Sequence, residues 1–245
     1  MKFDIITIFP ESLKGYFNSS ILGRAKKDKK IEINLHNLRD FAEDKHKKTD
    51  DKSYGGGPGM VMKIEPILKA MVNILSIKSK ISNGAQNKLE HKTSTIFKTT
   101  KIILFSPSGK QFTQKMARDW AKKYDNLIMI CGRYEGVDER VKKILRACLP
   151  VGRAEEISIG PYILTGGELP AAIVADSVAR HIPNVLGKEE SLEEERGTSG
   201  FPVYTKPEVF EFKGKKFKVP KVLLSGHHKK IKNWREKNSK KIKEK

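Results

Sequence analysis

The chain has 245 residues, of which 38% are hydrophobic and 32% are charged. No stretch reaches the ~18 consecutive apolar residues of a membrane span. Its two cysteines, Cys131 and Cys148, are too few for a disulfide scaffold or a cysteine zinc site. The formal net charge of +20 indicates a polyanionic partner, because phosphates bind Lys and Arg with release of counterions. A solvated, lysine-rich surface is the alternative explanation of this charge.

Residues 1–187 alternate short apolar, β-branched runs with helical patterns, which predicts an α/β domain with a mostly parallel sheet. Asp4 interrupts the first apolar run, Pro10 ends it and no small-residue cleavage site follows. We therefore interpret that run as a buried strand and expect a cytosolic protein. The predicted strands are Lys2–Phe9, Ile31–His36, Lys101–Phe105, Leu127–Cys131 and Ile157–Leu164. The predicted helices are Glu11–Lys27, Ile64–Ile77, Thr113–Tyr124, Val137–Cys148 and Leu169–His181.

Two segments depart from this alternation. Residues 76–100 are polar, aperiodic and rich in Lys, Ser, Thr and Asn, which predicts a surface insertion. Residues 188–203 hold five glutamates in a basic protein and then glycines and a proline, which predicts an interdomain linker. After it, residues 204–245 combine a two-stranded pattern around Phe210–Val219 with a basic terminal helix. We interpret them as a small, mainly helical C-terminal domain.

Three of the predicted strands each run into a loop rich in glycine. The loops are Ser106–Gly109, Cys131–Gly136 and Ser158–Glu168. Ligands of open α/β sheets bind outside the carboxyl ends of the strands, and glycine lets backbone amides approach a ligand closely. We therefore expect the three loops to form one pocket, although any one of them could need glycine only for a strand-to-helix turn.

The common nucleotide and metal motifs are missing from the sequence. The densest glycine cluster, Gly55–Met60, lacks the last glycine of a dinucleotide fingerprint, and Ser106–Lys110 lacks the flanking residues of a Walker loop. Neither H-E-x-x-H nor G-x-S-x-G occurs, and the six histidines show no metal-ligand spacing. These observations argue against a dinucleotide enzyme and a P-loop ATPase.

At the glycine loops and along most of the chain, the sequence resembles the TrmD family, the bacterial tRNA (guanine-N1)-methyltransferases of the SPOUT class. The segments outside residues 76–100 carry the resemblance in an ordered and specific series. They are Ile8–Pro10, Gly23–Ala25, Arg39–Phe41, Asp44–Met60, Leu104–Pro107, Cys131–Arg140, Ser158–Pro170, Ala179–Pro183, Val185–Gly187, Tyr204–Glu208 and Ser225–His228.

The resemblance implies properties that hydrophobic patterning does not. It implies a SPOUT fold with a deep trefoil knot built from the glycine loops, which is a rare topology. It implies transfer of a methyl group from S-adenosylmethionine, bent inside the knot, to N1 of the guanosine just 3′ of the anticodon (position 37) in tRNA. It further implies a homodimer with active sites shared between subunits and a C-terminal domain that grips tRNA. By the same analogy a Mg²⁺ requirement is expected, with no residue assigned to the ion.

Site residues follow from the resemblance position by position. The cofactor residues it implies are Leu104, Ser106, Pro107, Gly132, Tyr134, Glu135, Gly136, Ile159, Gly160, Pro161, Tyr162, Ile163, Leu164, Gly166 and Gly167. Packing in the core alone is the competing explanation for Tyr162 and Leu164. The residues expected to face tRNA or the dimer partner are Asp44, His46, Asp50, Tyr54, Gly55, Gly57, Gly59, Ser225 and His227.

The reaction itself places demands on the catalytic residues. Guanine N1 carries a proton and is a poor nucleophile, so a base must accept that proton, and a cation near O6 stabilises the charge that develops there. The resemblance implies Arg180 as the cation. The aspartate that serves as base in the family has no aspartate counterpart here; Glu195 aligns best, and Glu194 is the alternative. Repulsion among the linker glutamates and from RNA phosphate raises a carboxylate pKa toward neutrality, which suits a base.

Two other departures concern local loop shape. Pro161 stands where the family commonly has an acidic residue, and Leu149–Arg153 reads as an extra insertion. Two other functions stay open at this point. One is a SPOUT RNA methyltransferase with a different target nucleotide. The other is an RNA-binding protein that has lost catalysis, which only the missing aspartate favours.

Overall fold

The computed structural model describes residues 1–75, 99–148, 154–187 and 201–239. The chain divides into two compact units, Met1–Gly187 and Lys188–Lys245. The predicted linker, Glu194, Glu195 and the Leu149–Arg153 insertion lie wholly or largely outside the described residues. Within the part of the chain that is described, no helix is long and apolar enough to cross a membrane.

The larger unit is built on a five-stranded sheet in which every neighbouring pair is parallel, in the order β2-β1-β6-β5-β7. A separate antiparallel pair joins two short strands, β3 and β4. The strands are β1 Lys2–Thr7, β2 Glu32–Asn37, β3 Asp50–Asp51, β4 Val61–Met62, β5 Thr100–Gln111, β6 Asn126–Ile130 and β7 Ala154–Ser158. The α/β class with a mostly parallel sheet, predicted from the alternation, is confirmed.

Six α-helices and one 3₁₀ helix connect these strands within the described residues of the larger unit. The 3₁₀ helix is Leu38–Phe41. The α-helices are α1 Glu11–Phe17, α2 Ser20–Lys27, α3 Ile64–Ile74, α4 Gln114–Lys123, α5 Glu139–Cys148 and α6 Glu168–Ala179. Helix α4 begins after Thr113, whose side chain accepts a hydrogen bond from the Met116 amide as an N-cap.

Both faces of the sheet are buried, as a parallel sheet requires. Phe3 and Ile5 of β1 belong to one apolar cluster, which also contains Trp120 of α4 and Val174 of α6. The opposite face forms a second cluster with α3 and α5; its members include Ile6, Ile8, Ile67, Ile102, Ile128, Ile130 and Val141. The long apolar runs in the sequence therefore correspond to strands covered on both sides.

Several predicted boundaries are wrong. A single helix over Glu11–Lys27 was expected, but it breaks into α1 and α2 around Asn18 and Ser19, residues that favour helix ends over helix interiors. The strand predicted over Ile157–Leu164 already ends at Ser158, because Gly160 and Pro161 disfavour a continued ladder. The predicted insertion was drawn to residue 100, yet Thr100 already belongs to β5.

The fifth strand differs most from its prediction. It was expected to end at Phe105 and to turn into the first glycine loop. Instead β5 continues to Gln111, with a shift of register against β7 such that Phe105 and Lys110 both pair with Ile157. The first loop, Ser106–Gly109, is therefore an excursion within a strand, which has the character of a large bulge.

The smaller unit is described over residues 201–239. Strands β8 Val209–Phe212 and β9 Lys215–Lys218 form an antiparallel hairpin, followed by helices α7 Lys221–Leu224 and α8 His228–Asn238. Trp234 of α8 lies 6.3 Å from Tyr204 between ring centroids, and the Arg235 guanidinium lies 5.2 Å from the Phe201 ring centroid. No residue in this described part is buried, so the unit holds together through partly exposed contacts.

Candidate active site

A cavity of about 290 Å³ lies beside the Ser106–Gly109 excursion of β5 and the carboxyl ends of β6 and β7. All three glycine loops contribute to its wall. Every cofactor residue implied by the resemblance lines it except Leu104, which is buried in the core, and Pro161, which is exposed. Arg133, Ser158 and Thr165, which lie inside the predicted loops, line it as well, and so does Phe105 beside Leu104. Ile157 and Pro170 lie outside the predicted loops, and sequence reasoning missed them.

Backbone contact between two of these loops depends on Gly167. Its amide donates a hydrogen bond to the Gly132 carbonyl at 2.9 Å. A Cβ at this position would lie 2.6 Å from Cα of Cys131 and 2.9 Å from the Gly132 nitrogen, which is closer than real Cβ atoms approach. A side chain here would therefore separate the loops and deform the cavity. This is the cradle that a small ligand held by backbone groups requires.

Beneath the cavity lies a buried polar group, Glu168, at the start of α6. Its side chain is 5% exposed. The hydroxyl of Thr7, at the end of β1, donates to Oε1 of Glu168 at 2.6 Å. Nε of Arg133 donates to Oε2 of Glu168 at 3.0 Å, and Nη1 of Arg133 donates to the Thr165 carbonyl at 3.2 Å. The carboxylate thus joins three elements around the cavity floor.

The buried thiol of Cys131 has a shifted pKa, to which Glu168 contributes. Burial raises the pKa of the Cys131 thiol well above its usual range, and the negative charge of Glu168 adds to the rise. Cys131 is fully buried at the end of β6. It therefore acts as a packing residue and not as a nucleophile.

The second glycine loop is tied to the glycine-rich segment before β4. The Glu135 amide donates to the Met60 carbonyl at 3.0 Å, and the Met62 amide donates to the Gly136 carbonyl at 2.9 Å. Tyr134, which precedes Glu135 in the loop, adopts a positive φ of 58° and is half exposed. The segment expected to face tRNA therefore borders one wall of the cavity.

Most residues of that segment are open to solvent. The carboxylate of Asp44 accepts hydrogen bonds from the amides of His46 and Lys48, both at 2.9 Å, which fixes a tight turn. Tyr54 is fully exposed, whereas Asp50 is partly buried in β3. Gly55, Gly57 and Gly59 all have positive φ, so the turn they form is one that L side chains rarely adopt.

The catalytic arginine implied by the resemblance lies away from this cavity. Arg180 follows the last residue of α6, and Glu168 is the first. Twelve residues of helix separate them by about 18 Å along the axis. Arg180 is not among the residues that line the cavity. Ser225 and His227 belong to the smaller unit, where the His227 amide donates to the Ser225 hydroxyl at 3.2 Å.

The expected Mg²⁺ finds no support in the donor set. Among the described residues, no group of three or more His, Cys, Asp or Glu side chains is placed to hold a metal ion.

A parallel sheet with a backbone-lined cavity at the carboxyl ends of its strands defines an α/β protein that binds a small organic ligand. All of its residues, 1–245, match the family described as tRNA (Guanine-1)-methyltransferase TrmD. The chain belongs to this family, which is of the SPOUT class.

Individual relatives agree with the family match, and each carries the name tRNA (guanine-N(1)-)-methyltransferase. The protein from Dictyoglomus turgidum is 48% identical over 98% of this chain and 85% of its own length. The relative from Carboxydothermus hydrogenoformans is 47% identical over 98% of this chain and 83% of its own length. The relative from Ruminiclostridium cellulolyticum is 44% identical over 96% of this chain and 89% of its own length.

Proposed function

We propose that this protein transfers the methyl group of S-adenosylmethionine to N1 of guanosine 37 in tRNA, which supports reading-frame maintenance. The observation that carries the proposal is the cavity formed jointly by the three glycine loops, in a chain that matches the TrmD family over its whole length. In this proposal the deep trefoil knot and the cytoplasmic location remain predictions.

The cavity is the cofactor site in this proposal. Its volume, about 290 Å³, is close to the ~300 Å³ at which small-molecule sites begin. When bound, S-adenosylmethionine supplies a methyl group activated by a positively charged sulfur. Backbone groups of Gly132, Gly136 and Gly160 hold the ligand, and the exposed rings of Tyr134 and Tyr162 pack around it. Leu104 then supports the wall from the core, and Pro161 shapes the third loop from outside.

Proton transfer and charge stabilisation fall to two residues outside that cavity. A carboxylate of the linker, Glu195 or Glu194, accepts the N1 proton as the methyl group transfers. Arg180 then stabilises the negative charge at O6 of the guanine. Since about 15 Å of helix separates Arg180 from Pro170, which lines the cavity of the same chain, we propose that Arg180 serves the cavity of a partner protomer.

A homodimer also accounts for the surface of α6. This helix is apolar on nearly all sides, which is the pattern of a buried helix. Leu169 and Ile173, one turn apart, are nevertheless 61% and 42% exposed. Tyr16 of α1 is half exposed beside them; burial first, and then the Asp176 carboxylate, raises the pKa of its hydroxyl. Packing of α6 against a second copy of the chain would bury this surface.

Recognition of tRNA is assigned to two regions. Gly59 and Met60 contact the second loop of the proposed cofactor cavity. We therefore propose that the segment with Asp44, His46, Asp50, Tyr54 and the glycines before β4 meets the target nucleotide. Ser225, His227 and the basic helix α8 in the smaller unit supply contacts to the RNA backbone. Nine basic and two acidic residues in Lys229–Lys245 favour phosphate as their partner.

One assay tests this function against the alternatives. Purified protein, S-adenosylmethionine and a tRNA transcript with guanosine 37 should yield N1-methylguanosine at that position, located by mass spectrometry of nuclease fragments. A matched transcript with adenosine 37 is the control and should stay unmethylated. Methylation at another nucleotide would indicate a SPOUT enzyme with a different target. Binding of tRNA and cofactor without any methylation would indicate an RNA-binding protein without catalysis.

A further inference from the structure

Glu168 and its three neighbours form a closed ring of contacts that the proposed mechanism does not use. The Phe9 amide donates to the Thr7 hydroxyl at 2.9 Å, and that hydroxyl donates to Glu168 at 2.6 Å. Glu168 accepts from Nε of Arg133 at 3.0 Å, and the Arg133 guanidinium lies 4.7 Å from the Phe9 ring centroid. The ring of contacts holds Arg133 in place and pairs its positive charge with the carboxylate of Glu168.

The geometry constrains Arg133 on more than one side. Its side chain lines both the cofactor cavity and a neighbouring open cavity with Phe9 and Asn37. A Cβ on Gly166 would lie 2.6 Å from Cδ of Arg133, so the third glycine loop closes over the arginine. Together with the bond to the Thr165 carbonyl, these contacts leave the guanidinium a single well-defined position in the wall.

The described part of the cavity wall carries few charges. Among these described lining residues only Arg133 and Glu135 have charged side chains. Glu168, which is almost fully buried, pairs with Arg133 from behind the wall. With this pair formed, Glu135 leaves the site with a net negative charge. Without the Glu168 carboxylate, the charges of Arg133 and Glu135 would cancel, and the site would lose its net negative charge.

We propose that Glu168 is a positioning residue that holds Arg133 in the cavity wall and neutralises it, so that the site prefers a cationic donor to its neutral product. The inference rests on the proposed use of S-adenosylmethionine. That cofactor carries one more positive charge, at sulfur, than S-adenosylhomocysteine, the product left after methyl transfer. A net negative site therefore favours the donor, and methyl transfer itself weakens the hold on the product.

A charge-rescue series tests this role. Glu168→Gln keeps a group that can bond to Thr7 and removes the charge. Arg133→Gln removes the opposing charge, and the double variant restores the net charge of the wild-type site. Isothermal titration of each protein with S-adenosylmethionine and with S-adenosylhomocysteine gives the ratio of the two affinities. The variants are compared on this ratio because a change in the shape of the cavity lowers the affinity for both ligands. Loss of negative charge from the site lowers mainly the affinity for the donor.

We expect Glu168→Gln to lower the preference for the donor by about tenfold, and the double variant to recover most of it. If Glu168→Gln does not fold, Arg133→Gln alone should raise the preference above that of the wild type. Equal weakening of both ligands in Glu168→Gln, or no recovery in the double variant, would overturn the positioning role while leaving the proposed function intact. A wild-type protein that binds neither ligand would instead overturn the proposed function.

Discussion

Gly59 lies directly against the side chain of Glu135. A Cβ on this glycine would approach Cγ of Glu135 to 2.7 Å, and its φ of +85° is one that L residues rarely adopt. The contact joins the glycine-rich turn, which is proposed to meet the target nucleotide, to the second loop of the cofactor cavity. The turn and the second loop are therefore in close contact here, in addition to the backbone hydrogen bonds between them.

Gly59→Ala should weaken S-adenosylmethionine binding by about tenfold, because the new methyl group displaces Glu135 and the loop that carries it. Gly55→Ala is the matched control. Gly55 has the same φ of +85° but no atom within 4 Å of its Cβ position, so this variant introduces the same backbone strain without the clash. Calorimetric titration checks both. An equal loss of cofactor affinity in the two variants would mean that backbone strain causes the loss and that the contact with Glu135 does not.

Arg180→Ala should leave cofactor affinity unchanged and lower the single-turnover rate by about 100-fold or more, as loss of a group that stabilises developing charge does. Arg118→Ala, on the outer part of α4, is the control for removing a helical arginine. Rapid-quench measurement of methyl transfer checks the rate. A wild-type rate in Arg180→Ala would remove this residue from the mechanism.

Sharing of the active site can be tested with the same variant. Mixed dimers of Arg180→Ala with Gly167→Ala combine one intact cavity with one intact arginine from the other protomer. Random pairing should restore about a quarter of the wild-type activity, although each parent is nearly inactive. Activity no higher than that of the parents would show that Arg180 does not act across the interface.

Ile173→Lys should yield monomers, because it places a charge in the centre of the apolar surface of α6. Light scattering at micromolar concentration measures the mass, and methylation should be lost together with the dimer. Glu32→Lys, an exposed change on the edge strand β2, introduces the same side chain away from α6 and should leave the mass unchanged. If Ile173→Lys still forms dimers, the dimer interface lies on a surface other than that of α6.

Glu195→Gln should abolish most methyl transfer while both substrates still bind, since only the proton acceptor at guanine N1 is removed. The rate of the wild type should rise with pH as the carboxylate loses its proton, and this dependence should disappear in the variant. A single-turnover pH series measures it, with Glu189→Gln as the control in the same linker. Wild-type rates for both Glu195→Gln and Glu194→Gln would place the base elsewhere, with Asp50 or a water as the next candidates.

The affinity for tRNA should fall steeply with salt, and α8 should account for part of the slope. Lys229, Lys230 and Lys232 are exposed, and their replacement by Gln leaves Ile231 and Trp234 in place to hold the helix. Each lost phosphate contact should reduce the slope of log affinity against log salt by about 0.9. The same replacement at Lys26, Lys27 and Lys29 is the control. An unchanged slope would exclude these three lysines from the RNA interface.

Periodicity predicted the sheet well because its central strands are buried on both faces and read as apolar runs. Periodicity failed to predict where an element ends when hydrogen bonding of a backbone group, or of a single residue at a helix end, determines that point. The break at Asn18 depends on local hydrogen bonding that competes with a helix. The return of β5 after Ser106–Gly109 depends on pairing with β7, which no local pattern records.

The candidate cavity was predictable for a topological reason, since loops after parallel strands meet at one edge of a sheet. Its buried charge was not predictable. Glu168 follows two glycines at the start of a helix, where an exposed acidic residue is the common case. Only the fold brings Thr7 and Arg133 to it, from 161 and 35 residues away. Arg180 was identified through family resemblance, and helix geometry supplied the argument for a second protomer.

Backbone hydrogen bonds hold Thr99 against the start of β6. The Thr99 carbonyl accepts hydrogen bonds from the Asp125 and Asn126 amides, at the amino end of the sheet. Chain entering the sheet here arrives at the edge opposite the cavity. A fluorescent reporter attached to the side chain of Thr99 would therefore lie at the end of the sheet away from the cavity.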